Sequence, residues 1–181
     1  MRKRYWFLIA AAMVLAVPAY TKVMARLAPG TPPAMAPVAD QADRILVEKS
    51  ARRMELWQGD TLLARYDIAL GGAPEAGHKQ QEGDERTPEG QYIIDWRNAR
   101  SIAHMSLHIS YPHPEDSAVA ASMGVSPGGA VMIHGLPNGW GALGRLHLLA
   151  DWTDGCIGVT NAEMEQIWSL VPDGTPIEIR P

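Results

Sequence analysis

Short apolar runs broken by turn residues fill most of this chain, and only one run carries helical spacing. That pattern commits it to a mainly β fold with a minor α component. Ile45-Leu46-Val47-Glu48-Lys49 and Met54-Glu55-Leu56-Trp57 read as strands around the turn Ser50-Ala51-Arg52-Arg53. Gln58-Gly59-Asp60 turns the chain again into Leu62 to Leu70, which completes a three-stranded meander. The polar stretch from Glu75 to Arg86 lacks apolar periodicity and reads as a surface loop. Further strands are expected at Tyr92 to Trp96, Leu107 to Tyr111, Ala130 to Ile133 and Pro176 to Ile179. The one helix opens at Thr160 and Glu163, which have capping-box spacing, and runs through Met164, Ile167, Trp168 and Val171. Pro114 to Gly129 and Leu136 to Asp151 remain as long connections, a length typical of lids and binding loops.

The amino terminus reads as an export signal. Arg2, Lys3 and Arg4 precede an apolar run from Tyr5 to Tyr20, shorter than the roughly 20 residues that span a bilayer. Residues 1–28 therefore read as a signal peptide or an uncleaved membrane anchor, which places the remainder in the periplasm or cell envelope. Residues 29–42, with Pro29, Pro32, Pro33 and Pro37, read as an extended tether. Residues 43–181 are enough for one domain with one core. The net charge of −4 offers no basic footprint for nucleic acid.

Cys156 is the only cysteine. In an exported protein a lone cysteine is either a buried apolar filler or a working thiol. Thr153, Gly155 and Gly158 crowd it little, and Ile133-His134-Gly135 lies upstream. A thiolate attacks a carbonyl far better than a thiol, so the sulfur needs a base, and His134 is the candidate. The backbone N–H groups of Gly155 and Cys156 are candidates to stabilise the oxyanion formed on attack. This is acyl transfer through a thioester. Asp154 raises the thiol pKa if it faces the sulfur, and orients a histidine if it faces one. His104 and His108 stand at i, i+4 without a helical pattern around them, so they are not read as a metal pair.

Ile133-His134-Gly135, Thr153-Asp154-Gly155-Cys156 and the segment from Gly83 through Thr87-Pro88-Glu89-Gly90-Gln91-Tyr92 resemble, in that order, the motifs of the YkuD-type L,D-transpeptidase catalytic domain. Ile109-Ser110-Tyr111-Pro112 is similar to a stretch of its YafK-like branch. The resemblance implies a YkuD-like β-sandwich with the capped helix near the cysteine and a lid loop. It implies Cys156 as nucleophile, His134 as proton donor and acceptor, and Gly155 as backbone oxyanion support. Tyr111, Gly135, Trp140, Arg145 and Thr153 become candidate contacts to substrate. For Tyr111 and Trp140 core or lid packing is the other reading, and for Arg145 a solvated surface role. The implied substrate is the peptidoglycan tetrapeptide stem, with no metal or organic cofactor. Cross-linking, hydrolysis and attachment or release of an envelope lipoprotein all fit the resemblance, and so does a silent peptidoglycan-binding protein. At Asp154 the chain departs from the family, which usually has a second histidine there.

Overall fold

The computed structural model describes residues 16–27 and 30–181. The expected meander forms from β1 (Arg44–Glu48), β2 (Arg53–Gln58) and β3 (Thr61–Asp67). Five more strands follow: β4 (Gly90–Asn98), β5 (Ser106–Ile109), β6 (Met132–His134), β7 (Ile157–Gly158) and β8 (Pro176–Arg180). Together they make one mixed sheet in the order β3-β2-β1-β8-β4-β5-β6-β7, curled into a half-barrel, and the mainly β expectation holds. Period-two alternation sets which faces turn inward. On β1 Ile45 and Val47 are buried, and their partners on β8, Ile177 and Ile179, are buried beside them. One continuous apolar core runs from these residues through Leu107 and Ile109 on β5 to Ile133 and Ile157.

The β6–β7 pair positions the candidate site. The two strands are parallel, with Ile133 opposite Ile157 and His134 opposite Gly158. Parallel neighbours need a crossover of a dozen or more residues. The long connection from Leu136 to Asp151 is therefore an obligate feature of this pairing. It is folded as 3-10 turns over Gly141–Leu149, kinked at Gly144.

The capped helix, Asn161–Leu170, begins as expected. The Thr160 hydroxyl accepts the Glu163 N–H, and the Glu163 carboxylate accepts the Thr160 N–H at 2.9 Å. Such a cap is worth about 1 kcal/mol. Met164, Ile167 and Trp168 bury its apolar stripe. A second helix, Pro114–Ser122, lies in what reads as a long connection. Its start is built by Pro114 and by Asp116, whose carboxylate accepts the His113 N–H at 2.7 Å. Only Ala120 is buried, so the helix leaves no apolar period in the sequence. In chain order we label a helix over residues 16–27 α1, Pro114–Ser122 α2 and Asn161–Leu170 α3.

The stretch expected as a surface loop is anchored by two buried lysines. Lys49 Nζ donates to the Gly77 and Thr87 carbonyls and to Glu89 Oε1 at 2.7 Å. Lys79 Nζ donates to the Gln81 carbonyl and to Asp84 Oδ1 at 2.8 Å. Burial alone raises the Asp84 carboxyl, but N–H donors from Gln80, Gln81 and Arg86, together with Lys79, outweigh it and hold it at about 2. Residues 30–42, read as a tether, are hydrogen-bonded along the domain and contain a 3-10 turn at Val38–Asp40. Gly30 N–H meets the His104 carbonyl, and Ala42 N–H meets that of Leu170. The leader reading falls mostly on residues 1–15, outside the described residues. Among the described residues no helix is long and apolar enough to cross a membrane.

Candidate active site

His134 ends β6, held by buried Ile133 on one side and by its pairing with β7 on the other. Its Nδ1 lies 2.7 Å from the Gly135 carbonyl. A carbonyl only accepts, so Nδ1 carries the proton and Nε2 is left as an acceptor. Gly135 has no room for a side chain, because a Cβ there would lie 2.9 Å from both Asn161 Oδ1 and His104 Cβ. Asn161, the first residue of α3, also accepts the Leu136 N–H at 2.9 Å and so joins the histidine loop to the helix behind the cysteine.

Cys156 immediately precedes β7 and is half-buried. Its Sγ accepts the Met132 N–H at 3.4 Å, and its thiol points to the Ala130 carbonyl at 3.7 Å. The turn before it is tied by Thr153, whose hydroxyl donates to the Cys156 carbonyl at 2.7 Å and accepts the Gly155 N–H at 3.2 Å. Gly155 sits at φ +113°, and a Cβ there would meet the Arg86 carbonyl at 2.4 Å. A side chain is excluded on both counts. Asp151 anchors the turn from below, accepting the Leu70 N–H at 2.8 Å and an Arg52 N–H at 3.1 Å.

Cys156 and His134 line one cleft of about 490 Å³, with Met132, Trp152, Thr153 and Asp154. Burial pushes the Cys156 thiol up, the Met132 N–H opposes this, and Asp154 adds to the rise while Lys79 counters it. Burial pushes His134 down, against the stabilising bond to Gly135, and His147 depresses it further. The cleft thus holds, at rest, a neutral thiol and a neutral imidazole. Such a pair can pass a proton as a bond forms, and it holds no standing ion pair.

The family's L,D-transpeptidase catalytic domain, YkuD, matches residues 42–179, most of the chain. The chain belongs to the YkuD L,D-transpeptidase family. No curated protein matches it. Among solved structures it is similar to the helical cell shape determining protein Pgp2 of Campylobacter jejuni, at 18% identity and a TM-score of 0.58, over 89% of this chain and 56% of that one. It is similar to Bd1075 of Bdellovibrio bacteriovorus, at 20% identity and a TM-score of 0.52, over 81% of this chain and 50% of that one. An L,D-transpeptidase of Mycobacterium smegmatis matches at 13% identity and a TM-score of 0.51, over 77% and 59%. At these identities the likeness is one of fold. The chain spans about half the length of the structures it matches.

Within this YkuD domain the structure brings Cys156, His134, Thr153 and Asp154 to one cleft, with Gly135 and Gly155 shaping the loops behind them. Asp154 is exposed at the cleft edge and, among the described residues, makes no hydrogen bond to a histidine. Tyr111 is buried away from the cleft, its hydroxyl donating to the Pro127 carbonyl at 3.0 Å. Trp140 lines a neighbouring apolar pocket and donates to Thr21 Oγ1 at 3.0 Å. Arg145 is exposed, paired with Asp67 and, at 3.7 Å, with Glu163. Tyr111 and Arg145 thus follow the core and surface alternatives open to them. Trp152 and the α1 residues Thr21 and Ala25 were not singled out, yet all three line the cleft. The only signal for Trp152 is its place beside Thr153 in the cysteine motif.

Proposed function

We propose that this chain is a cell-envelope L,D-transpeptidase acting on peptidoglycan tetrapeptide stems through a thioester on Cys156. The observation that carries the reading is the β6–β7 register, which sets His134 beside the strand that Cys156 precedes, in one cleft. His134 Nε2 takes the thiol proton as sulfur bonds to the carbonyl carbon of the stem's third residue. The Gly155 N–H already bonds to Thr153, so the Cys156 N–H is the oxyanion donor in this scheme. The C–N bond to the terminal D-alanine breaks as His134 returns its proton to the leaving amine. An acceptor amine then attacks the thioester and restores the thiol. Water as acceptor gives an L,D-carboxypeptidase, and a lipoprotein amine gives attachment to the wall. An envelope location follows from the substrate.

The test is to incubate the full chain with disaccharide-tetrapeptides and follow products by mass spectrometry. The expected result is loss of D-alanine with a dimer, both abolished in Cys156→Ala. Loss without a dimer assigns the carboxypeptidase. No loss at all, with a thiol inert to a carbapenem, overturns the enzyme reading in favour of a peptidoglycan-binding protein.

A further inference from the structure

Trp152 stands between two histidines. On one side its ring meets His134 edge to face, with centroids 5.6 Å apart and planes at 68°. On the other it meets His147 at 6.2 Å and 86°, and its indole Nε1–H donates to His147 Nδ1 at 3.4 Å. Trp152, with Thr21 and Pro137, lines both the Cys156 cleft and the neighbouring apolar pocket that His147 lines. His147 comes from the 3-10 segment of the crossover and is only 7% exposed. With Nδ1 accepting, its proton lies on Nε2, and that atom is buried with no hydrogen-bond partner among the described residues.

This arrangement is poor for stability and good for placement. An unpaired buried donor is costly, so a histidine at this site needs a reason beyond packing. An indole ring has two broad orientations about its outer torsion, and a partner for its N–H selects one. The acceptor has to be neutral to do this. Burial favours neutral His147; Glu163, on α3, opposes this, Arg145 adds to it, and His134 is coupled to His147 by charge. The ring so selected is the surface against which His134 stands.

We propose that His147 is a positioning residue of this site: it accepts the Trp152 indole N–H and thereby holds the ring that sets the orientation of His134. The proposal rests on the reading of His134 as the base. Asp154, nearer in sequence to the thiol, takes no part in it.

Three variants of the full chain test it. His147→Phe keeps a ring without the acceptor, His147→Asn restores an acceptor oxygen, and Trp152→Phe removes the donor. Carbapenem acylation of Cys156 should slow about tenfold or more in His147→Phe, as expected when a base is misplaced by a fraction of an ångström. His147→Asn should recover most of the rate, and Trp152→Phe should match His147→Phe with no further loss in the double variant. Equal rates in native and His147→Phe, or an Asn variant no better than Phe, would overturn the proposal. The second measurement needs no turnover. In the native chain the Trp152 indole resonance should shift as His147 titrates, and the ring-nitrogen resonances of His134 should move with it. Resonances of His134 that ignore both the titration and His147→Phe would also overturn it. If native Cys156 is not acylated but His134 responds to His147, the base reading fails and the positioning stands.

Discussion

At the scale of single residues the site is a balance of burial and local charge. Burial pushes Cys156 above the thiol reference of 9.0 and His134 below 6.5, so both are neutral near pH 7. The iodoacetamide rate of Cys156 should therefore keep climbing through pH 9 without a plateau. A plateau near pH 7 would mean a preformed thiolate. Because His134 stays unprotonated below pH 6.5, carbapenem acylation should persist to lower pH than an ordinary histidine base permits. Asp154 contributes part of the rise at Cys156, so Asp154→Asn should make the thiol alkylate several-fold faster at pH 8. An unchanged rate would show that its carboxylate is fully screened. The sequence made Cys156 and His134 legible through their neighbours. It left Asp154 undecided, because the direction of a side chain at a turn depends on what packs around it.

At the scale of elements, local chemistry explains what was legible and what was not. The α3 cap was readable because Thr160 and Glu163 act over three residues, and the meander because its turns and alternation are local. The helix α2 was not, because only Ala120 faces inward and no apolar stripe marks it. The loop from Glu75 to Arg86 reads as polar, yet Lys79 and Asp84 lock it from within. Asp84 gives this lock a pH signature. Its folded pKa of about 2 lies below the reference of 3.8, so its contribution is complete above pH 3.8 and is lost as pH falls through 2. With allowance for solvent screening the loss is on the order of 1–2 kcal/mol. Urea unfolding at pH 2 to 5 should show that slope in the native chain and a shallower one in Asp84→Asn. Equal slopes would remove Asp84 from the account.

At the scale of the whole molecule, α1 is part of the cleft. The Tyr20 hydroxyl donates to the Gly139 carbonyl at 2.9 Å, Thr21 accepts from Trp140, and Thr21 and Ala25 line the space in front of Cys156. A chain without residues 1–28 should accept bulky maleimides at Cys156 several-fold faster, with little change for iodoacetamide. A uniform change for both reagents would point to altered thiol chemistry and leave cleft width out of it.

By itself the sequence determined the β-rich class, the capped helix and the strand that carries His134, and it marked one thiol and one imidazole as candidates. Each depends on residues within a few positions of one another, where periodicity, turn chemistry and caps act. Only the tertiary structure decided that β6 and β7 lie parallel, that the crossover returns His147 to Trp152, and that Tyr111 belongs to the core and Arg145 to the surface. Burial and the charges facing a group are properties of the packed chain. They join residues far apart in sequence, and no local pattern encodes them.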